Sequence, residues 1–510
     1  MKLKLFILIF VSGLFSSCIS PSNKKIEQTM EENVSIEMKE YVSEYKPVIS
    51  ETVPEIHIKS SSGNNDFIFK PVSAAVSEMK KSWGGYFGEP APFYEDCEIT
   101  VYENNKISLE DLTGKVKVRG NWTSNYPKKP LAIKFDKETS ILGMHNGKQF
   151  KNWVLLASYK DWSFLRDTVA YYMGHMISSL YTSDFRYVKV FSNDEYIGLY
   201  ILAEKQEVNI DKINLTKSSP DYTGNDIGYL LEMDTYYKNS LYNFEIDYIS
   251  DLKDYNNNSV KHFMNGYSVK SDIQDSSQAL FINYYMNRLW KLCYEAVYNN
   301  NYLEFNDDFT ELIPSEAKTC YECISNVIDL ESLAQTYLLH EICCDADIAW
   351  SSFYMDIDFG KNGNKKLKFQ APWDFDSALG NKNFCADSKG IYAGSSYWDV
   401  NHQTRGWGNP WFIIFINCNW FRELVSQKWT MVRNQEFENK VVEFIDNVSF
   451  QYEDEFIENY KLWKNAGKPQ TLGELCSGAA KCKNQKQAAD YLKNWLLKRF
   501  ASIDEYWLKK

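Results

Sequence analysis

Ala-Pro-Trp-Asp-Phe-Asp-Ser-Ala-Leu-Gly, residues 371–380, is the stretch on which the fold turns. It follows Lys-Leu-Lys-Phe-Gln (366–370), and with Ser-Ser-Phe-Tyr-Met-Asp-Ile-Asp (351–358) it reads as a strand pair joined by the Gly-rich turn 359–365. If the second strand continues to Asp376, Asp374 and Asp376 fall on one face about 7 Å apart. Two carboxylates so placed suit a divalent cation with oxygen ligands, and without a cation they resist ionising together. A D-x-D string is also common in surface turns. The weight of this one comes from its setting between a strand and a glycine, flanked by Trp373 and Phe375.

Two further stretches carry chemistry-bearing residues. In His340-Glu341-Ile-Cys-Cys-Asp345-Ala-Asp347-Ile-Ala-Trp-Ser351-Ser352 a helix ends in a loop with two carboxylates, just before the strand pair. Loops set on rigid elements are where reactive groups tend to sit, and Asp345 and Asp347 compete for the role of base. In Val118-Arg119-Gly120-Asn121-Trp122 a turn leads to Pro127-Lys128-Lys129-Pro130 and on to Lys134 and Asp136. Lysines at a strand start are weak evidence alone, since they also guard strand edges.

Outward from these stretches the chain divides by period. Short β-branched and aromatic runs at 97–103, 115–121, 130–136, 152–158, 186–192 and 196–204 read as strands, with Asn193-Asp194 as a hairpin turn. One helix, 164–180, interrupts them. Helix-period segments at 279–298, 330–344, 411–433, 435–447 and 488–508 dominate the second half. The fold class is α+β, a β-rich part preceding a mainly helical one.

The chain opens with export grammar: Lys2 and Lys4, an apolar run from Leu5 to Leu14, then Ser16, Ser17 and Cys18. The ending resembles a bacterial lipoprotein signal, with Cys18 as the lipidated residue, so we expect a signal at 1–18, a flexible tether at 19–54 and a location outside the cytoplasmic membrane. Export permits disulfides among the ten remaining cysteines, whose pairing the sequence leaves open. The 56 basic and 68 acidic residues give a net charge of −12, which argues against nucleic acid as a partner. No H-E-x-x-H, G-x-S-x-G, Walker A or G-x-G-x-x-G occurs, which disfavours the common hydrolase and dinucleotide-binding classes.

Taken together, R-G-N-W-T (119–123), P-K-K-P-L-A-I-K-F-D (127–136), L-G-M (142–144), W-V-L-L-A-S-Y-K-D-W-S-F-L-R (153–166), Y-I-G-L-Y-I-L-A-E (196–204), the Glu341 to Tyr354 segment, P-W-D-F-D-S-A-L-G-N (372–381) and N-P-W-F (409–412) resemble the spore-coat protein H (CotH) kinase-like family, in its bacterial lipoprotein form. The resemblance runs over 115–433, between an N-terminal β-rich extension (55–114) and a C-terminal helical segment (434–510) expected to pack on the helical lobe by its apolar stripe. It implies an atypical protein-kinase-like two-lobed fold, with a β-rich N-terminal lobe and a mainly helical C-terminal lobe. It also implies transfer of the γ-phosphate of ATP, with Mg2+ or Mn2+, to Ser or Thr of an exported or surface protein.

Carried over by motif, Asp347 matches the catalytic-loop aspartate and Asp374 with Asp376 the metal pair. Lys129 or Lys134 matches the phosphate-holding lysine, with Arg119 and Asn121 in the turn before it. Glu204 either meets the nucleotide or caps its sheet. The helix 164–180 holds no Glu to pair with that lysine, so Glu204, Glu207 or Glu232 would substitute. A second class of function stays open, a catalytically inactive kinase-like surface protein acting in binding or adhesion. A glycosidase is disfavoured, because Asp374 and Asp376 on one strand cannot flank a glycosidic bond.

Overall fold

The computed structural model describes residues 37–70, 72, 94–248, 252–260, 263–264, 266–345, 347–383, 386–399, 404–468 and 475–508. The expected signal at 1–18, Cys18 and the tether as far as residue 36 lie outside the described residues, as does Cys385.

The first seven strands are β1 (Glu55–Ser60), β2 (Glu95–Glu103), β3 (Lys106–Val118), β4 (Leu131–Thr139), β5 (Phe150–Leu156), β6 (Phe185–Ser192) and β7 (Glu195–Glu204). They close into a barrel in the order β1-β2-β3-β4-β5-β7-β6. Closure comes from β1, which pairs antiparallel with β2 and parallel with β6, Ile56 opposite Val190. Strand alternation fills the interior: Ile56, Ile58, Ile99, Val101, Val116, Val118, Ile133, Trp153, Leu155, Val188, Val190, Tyr200 and Leu202 form one cluster. The β6–β7 hairpin turns at Asn193 (φ +46°) and Asp194 (φ +67°), the left-handed pair its tight connection requires.

On β5, β6 and β7 the outward residues are buried too. Val154, Leu156, Phe185, Tyr187, Leu199, Ile201 and Ala203 join the large core of the remaining chain. That two-sided burial is why these strands read as near-continuous apolar runs. Helix α1 (Arg166–Ile177) is part of what covers them; eleven of its twelve residues are buried.

A second sheet has five strands, β8 (Gly228–Met233), β9 (Asn243–Glu245), β10 (Gly266–Val269), β13 (Phe353–Asp358) and β14 (Lys368–Phe369), in the order β14-β13-β8-β10-β9. A small hairpin, β11 (Leu303–Phe305) with β12 (Leu312–Pro314), stands beside it in sequence. The helices are α2 (Ser276–Asn299), α3 (Leu330–Cys343), α4 (Pro410–Phe415), α5 (Asn419–Arg433), α6 (Phe437–Gln451), α7 (Glu453–Leu462) and α8 (Gln485–Trp507). The segment expected as one helix over 411–433 is two, because Cys418 N-caps a new helix after α4. Among the described residues no helix is long and apolar enough to cross a membrane, and Cys97, Cys293, Cys320, Cys323, Cys476 and Cys482 stand as free thiols.

Two expected boundaries differ. Residues 37–54, the end of the expected tether, lie against the domain: Tyr45 stacks on His175 at 3.7 Å and donates to Asp184 at 2.5 Å, and Met38 and Val53 are buried. Residues 55–114 supply β1, β2 and most of β3, so the barrel runs across the expected boundary at 114. At the other end, Arg499 of α8 meets Glu341 of α3 at 2.6 Å with both side chains fully buried, which joins the C-terminal helix to the segment carrying Asp347.

Candidate active site

One cavity of about 620 Å3, a size that accommodates a nucleotide-scale ligand, is lined by the end of β8 with residues 234–236, by Met264 and Tyr354, and by four further chain segments. These four are the turn after β3, the loop from β5 into α1, the loop after α3 and the 373–381 loop. The first turns at Gly120, whose φ is +78° and where an added Cβ would meet Thr123 Oγ1 at 2.4 Å. The last ends at Gly380 (φ +73°), where a Cβ would meet the Trp495 ring at 2.5 Å. Between them Asn381 donates to the carbonyls of Asp376 (2.7 Å) and Lys160 (3.1 Å), tying the second segment to the fourth.

Asp347, Asp374 and Asp376 each point one carboxylate oxygen inward, all within 4.8 Å of one another. The way they meet differs from the expected strand pleat. β14 stops at Phe369, and Asp374 sits in a loop at φ +67°. A left-handed conformation costs a non-glycine residue about 1 kcal/mol, so the surroundings must hold it. Trp373 stacks on Tyr171 at 5.7 Å, Phe375 stacks on His340 at 5.5 Å, and the Phe375 amide donates to Asp167 Oδ1 at 2.8 Å.

The electrostatics follow from crowding. Burial, then Asp376 and Asp347, push the Asp374 carboxyl up to about 7, against the opposing pull of Lys160 and Arg119. Lys160 Nζ lies 2.7 Å from Asp376 Oδ1 and donates to Ser377 Oγ at 2.5 Å. Burial disfavours the Lys160 ammonium, yet Asp376, Asp347 and Asp374 outweigh it and hold its pKa well above the usual lysine value. The Arg119 guanidinium lies 5.3 Å over the Trp373 ring and makes no ion pair among the described residues. Lys382 Nζ stands 3.9 Å from Asp347 Oδ1.

Of the two candidate bases, Asp347 lines the cavity and Asp345 is buried behind it. Asp345 Oδ1 accepts the Asp347 amide at 3.0 Å, and its other oxygen lies 2.9 Å from His340 Nδ1. Asp345 therefore shapes the loop that presents Asp347.

Arg119, Asn121, Asp347, Asp374 and Asp376, all singled out from sequence, line this cavity together. Lys129, Lys134 and Glu204 do not. Lys129 Nζ donates back to its own turn, to the carbonyls of Ser124 (2.7 Å) and Tyr126 (2.9 Å). Lys134 is exposed on β4, because its neighbours Ile133 and Phe135 take the inward positions. Glu204 caps its sheet: it is fully buried, accepts the Asp184 amide at 2.8 Å and lies 3.4 Å from His145 Nδ1. Of the three substitute glutamates only Glu232 reaches the cavity, paired with Lys270 at 2.7 Å. Arg166 neither lines the cavity nor pairs with Asp167; its guanidinium is bound by Asp161, which also caps α1. Sequence reading missed two cations of the cavity, Lys160 and Lys382. The one sequence signal of Lys160 is position: it directly precedes the Asp161 that fixes the start of α1.

Three carboxylates and no nitrogen or sulfur donor form a hard, all-oxygen set, the chemistry of Mg2+ or Mn2+ and not of a structural zinc. A cation there relieves the repulsion that raises Asp374. A mixed α+β chain with such a cleft has the donor set to take a divalent cation. The particular family follows from its sequence model: the model for CotH kinase protein matches residues 116–503, and the chain belongs to the CotH kinase family. The match extends past 433 through most of α8, in keeping with the Arg499–Glu341 contact. A comparison with curated proteins finds no match.

Proposed function

We propose that this chain is a metal-dependent protein kinase that transfers the γ-phosphate of ATP to a Ser or Thr hydroxyl of an exported or surface protein. The observation that carries this reading is the convergence of Asp347, Asp374 and Asp376 with Lys160 and Arg119 in one cleft of a CotH-family chain. The barrel and the helical part then stand as the two lobes of an atypical kinase layout. The N-terminal grammar supports export and lipid anchoring at Cys18, placing the domain in the periplasm or at the cell surface.

In this reading Asp374 and Asp376 hold Mg2+ or Mn2+, which neutralises charge on the nucleotide phosphates. Asp347 accepts the proton of the acceptor hydroxyl as its oxygen bonds to the γ-phosphorus and the bond to the β–γ bridging oxygen breaks, releasing ADP. Lys160 replaces Lys129 and Lys134 as the phosphate-holding cation, since it alone of the three reaches the cleft. Arg119, its guanidinium 5.3 Å over the Trp373 ring, supplies a second positive group.

Titration with a fluorescent ATP analogue tests the binding half. Saturable binding that needs Mn2+ and is lost in Asp374→Ala supports the reading. Absence of binding with or without Mn2+ would leave a surface binding or adhesion protein on a kinase-like scaffold.

A further inference from the structure

Asp167 is a cleft residue that the proposed chemistry leaves without a task. It stands in the first turn of α1, is almost fully buried, and lines the same cavity as the three aspartates. Its two oxygens are engaged at short range by neutral groups only. Oδ1 accepts the Phe375 amide at 2.8 Å, and Oδ2 faces Ser158 Oγ at 3.4 Å. The neighbouring arginine, Arg166, is bound by Asp161. A buried carboxylate beside other carboxylates and without a cation is a costly choice, so its contact must supply something the loop needs.

The contact falls on the one peptide that decides where the metal carboxylates point. Phe375 lies between Asp374 and Asp376, and Asp374 is in the left-handed region at φ +67°. Only firm anchoring on both sides keeps a non-glycine residue there. On the N-terminal side the Trp373 ring is stacked on Tyr171 of the same helix α1, one turn beyond Asp167. On the C-terminal side the Phe375 amide is held by Asp167 itself. Helix α1 thus grips the loop at residues 373 and 375 and leaves the strained residue between the two grips.

We infer that Asp167 is a positioning residue, a hydrogen-bond clamp on the Phe375 amide that sets the left-handed turn at Asp374 and so aims the Asp374 and Asp376 carboxylates at a shared cation. Its role is that of an acceptor. It is neither a metal ligand nor a base. The clamp itself rests on the hydrogen bond and the backbone turn, and its consequence for the cation rests on the metal reading proposed above.

Two variants of the full chain separate this from a purely structural or charge effect. Asp167→Asn keeps an oxygen able to accept the Phe375 amide, and Asp167→Ala removes it. Hydrogen exchange at the Phe375 amide reads the clamp without any metal, and Mn2+ titration followed by electron paramagnetic resonance reads its consequence. The expected result is that Asp167→Ala speeds Phe375 exchange at least tenfold and weakens Mn2+ binding at least tenfold, while Asp167→Asn stays within about threefold of wild type in both, in line with losses seen when groups orienting metal ligands are removed. Phe375 exchange unchanged in Asp167→Ala overturns the clamp. Asp167→Asn binding Mn2+ as weakly as Asp167→Ala while protecting Phe375 also overturns it, because charge would then be the active feature. Wild-type protein that binds no Mn2+ removes the metal reading alone, and the exchange measurement still decides the clamp.

Discussion

Lys160 Nζ lies 2.7 Å from Asp376 Oδ1, with about 5% and 7% of the two side chains exposed. This pair places a positive charge against the carboxylate cluster. Removing one member of a buried pair strands the other, at roughly 3–5 kcal/mol. Lys160→Met is therefore expected to lower the metal-free melting temperature, to regain much of the loss when Mn2+ is added, and to reduce phosphoryl transfer at least a hundredfold. Thermal unfolding with and without Mn2+, beside a transfer assay, checks all three.

Asp374 should behave in the opposite sense. Burial and its two acidic neighbours hold its pKa high, up to about 7, so its charged form is disfavoured in the metal-free protein. Asp374→Asn is expected to raise metal-free stability by ~1 kcal/mol or more, given that one pKa unit corresponds to about 1.4 kcal/mol. It should also abolish the stabilisation that Mn2+ gives. Chemical denaturation in chelator and in Mn2+ would show the two effects side by side.

The same residue sets a pH dependence. An aspartate whose folded pKa is about 7 binds a proton that the unfolded chain releases near pH 4, so between those values folding takes up protons. Metal-free stability is expected to fall as pH rises from about 4 to about 7 and then level. Asp234, pushed up to about 6 by burial and by Glu232, and Asp356, pushed up to about 6 by burial, act in the same direction. Because the cation binds the ionised form, Mn2+ affinity should rise through the same window and reach its plateau above about pH 7. Melting temperatures across pH 5–8, with chelator and with Mn2+, follow both curves.

The C-terminal helix should be indispensable. Arg499 contacts the Glu341 carboxylate at 2.6 Å, and Glu341 also accepts the amides of Tyr392 (2.8 Å) and Ala393 (2.7 Å). Arg499→Leu leaves a buried carboxylate without its cation and is expected to cost roughly 3–5 kcal/mol. Truncation before Gln485 should give insoluble protein. Denaturation midpoints and soluble yield measure these outcomes.

Much of this molecule is visible in the chain itself, and the gaps have identifiable causes. β2 and β4 to β7 were legible because their apolar patterns are local, and Asn193-Asp194 names its own turn, whereas only residues 115–118 of β3 were legible, since the stretch before them is mostly exposed and carries no apolar alternation. The closed barrel was not, since closure depends on β1 pairing with β6 across more than a hundred residues. Asp347, Asp374 and Asp376 were legible by motif, but their geometry was not, because a left-handed Asp374 leaves no mark in composition or period. The lysines misled for a simple reason: Lys129 and Lys134 at a strand start look like ligands, yet Lys129 folds onto its own turn and Lys134 is exposed on β4. Lys160 gains its role only through a salt bridge to a residue more than two hundred positions away.

The central claim is phosphoryl transfer at this cleft. Its most direct measurement is incorporation of labelled γ-phosphate from ATP into the protein itself and into a generic acceptor protein, with Mg2+ or Mn2+, for wild type, Asp347→Ala and Asp374→Ala. The expected result is metal-dependent incorporation by wild type that both substitutions abolish while each variant remains folded. Incorporation that survives either substitution, or a wild type that transfers nothing with either metal, would contradict it.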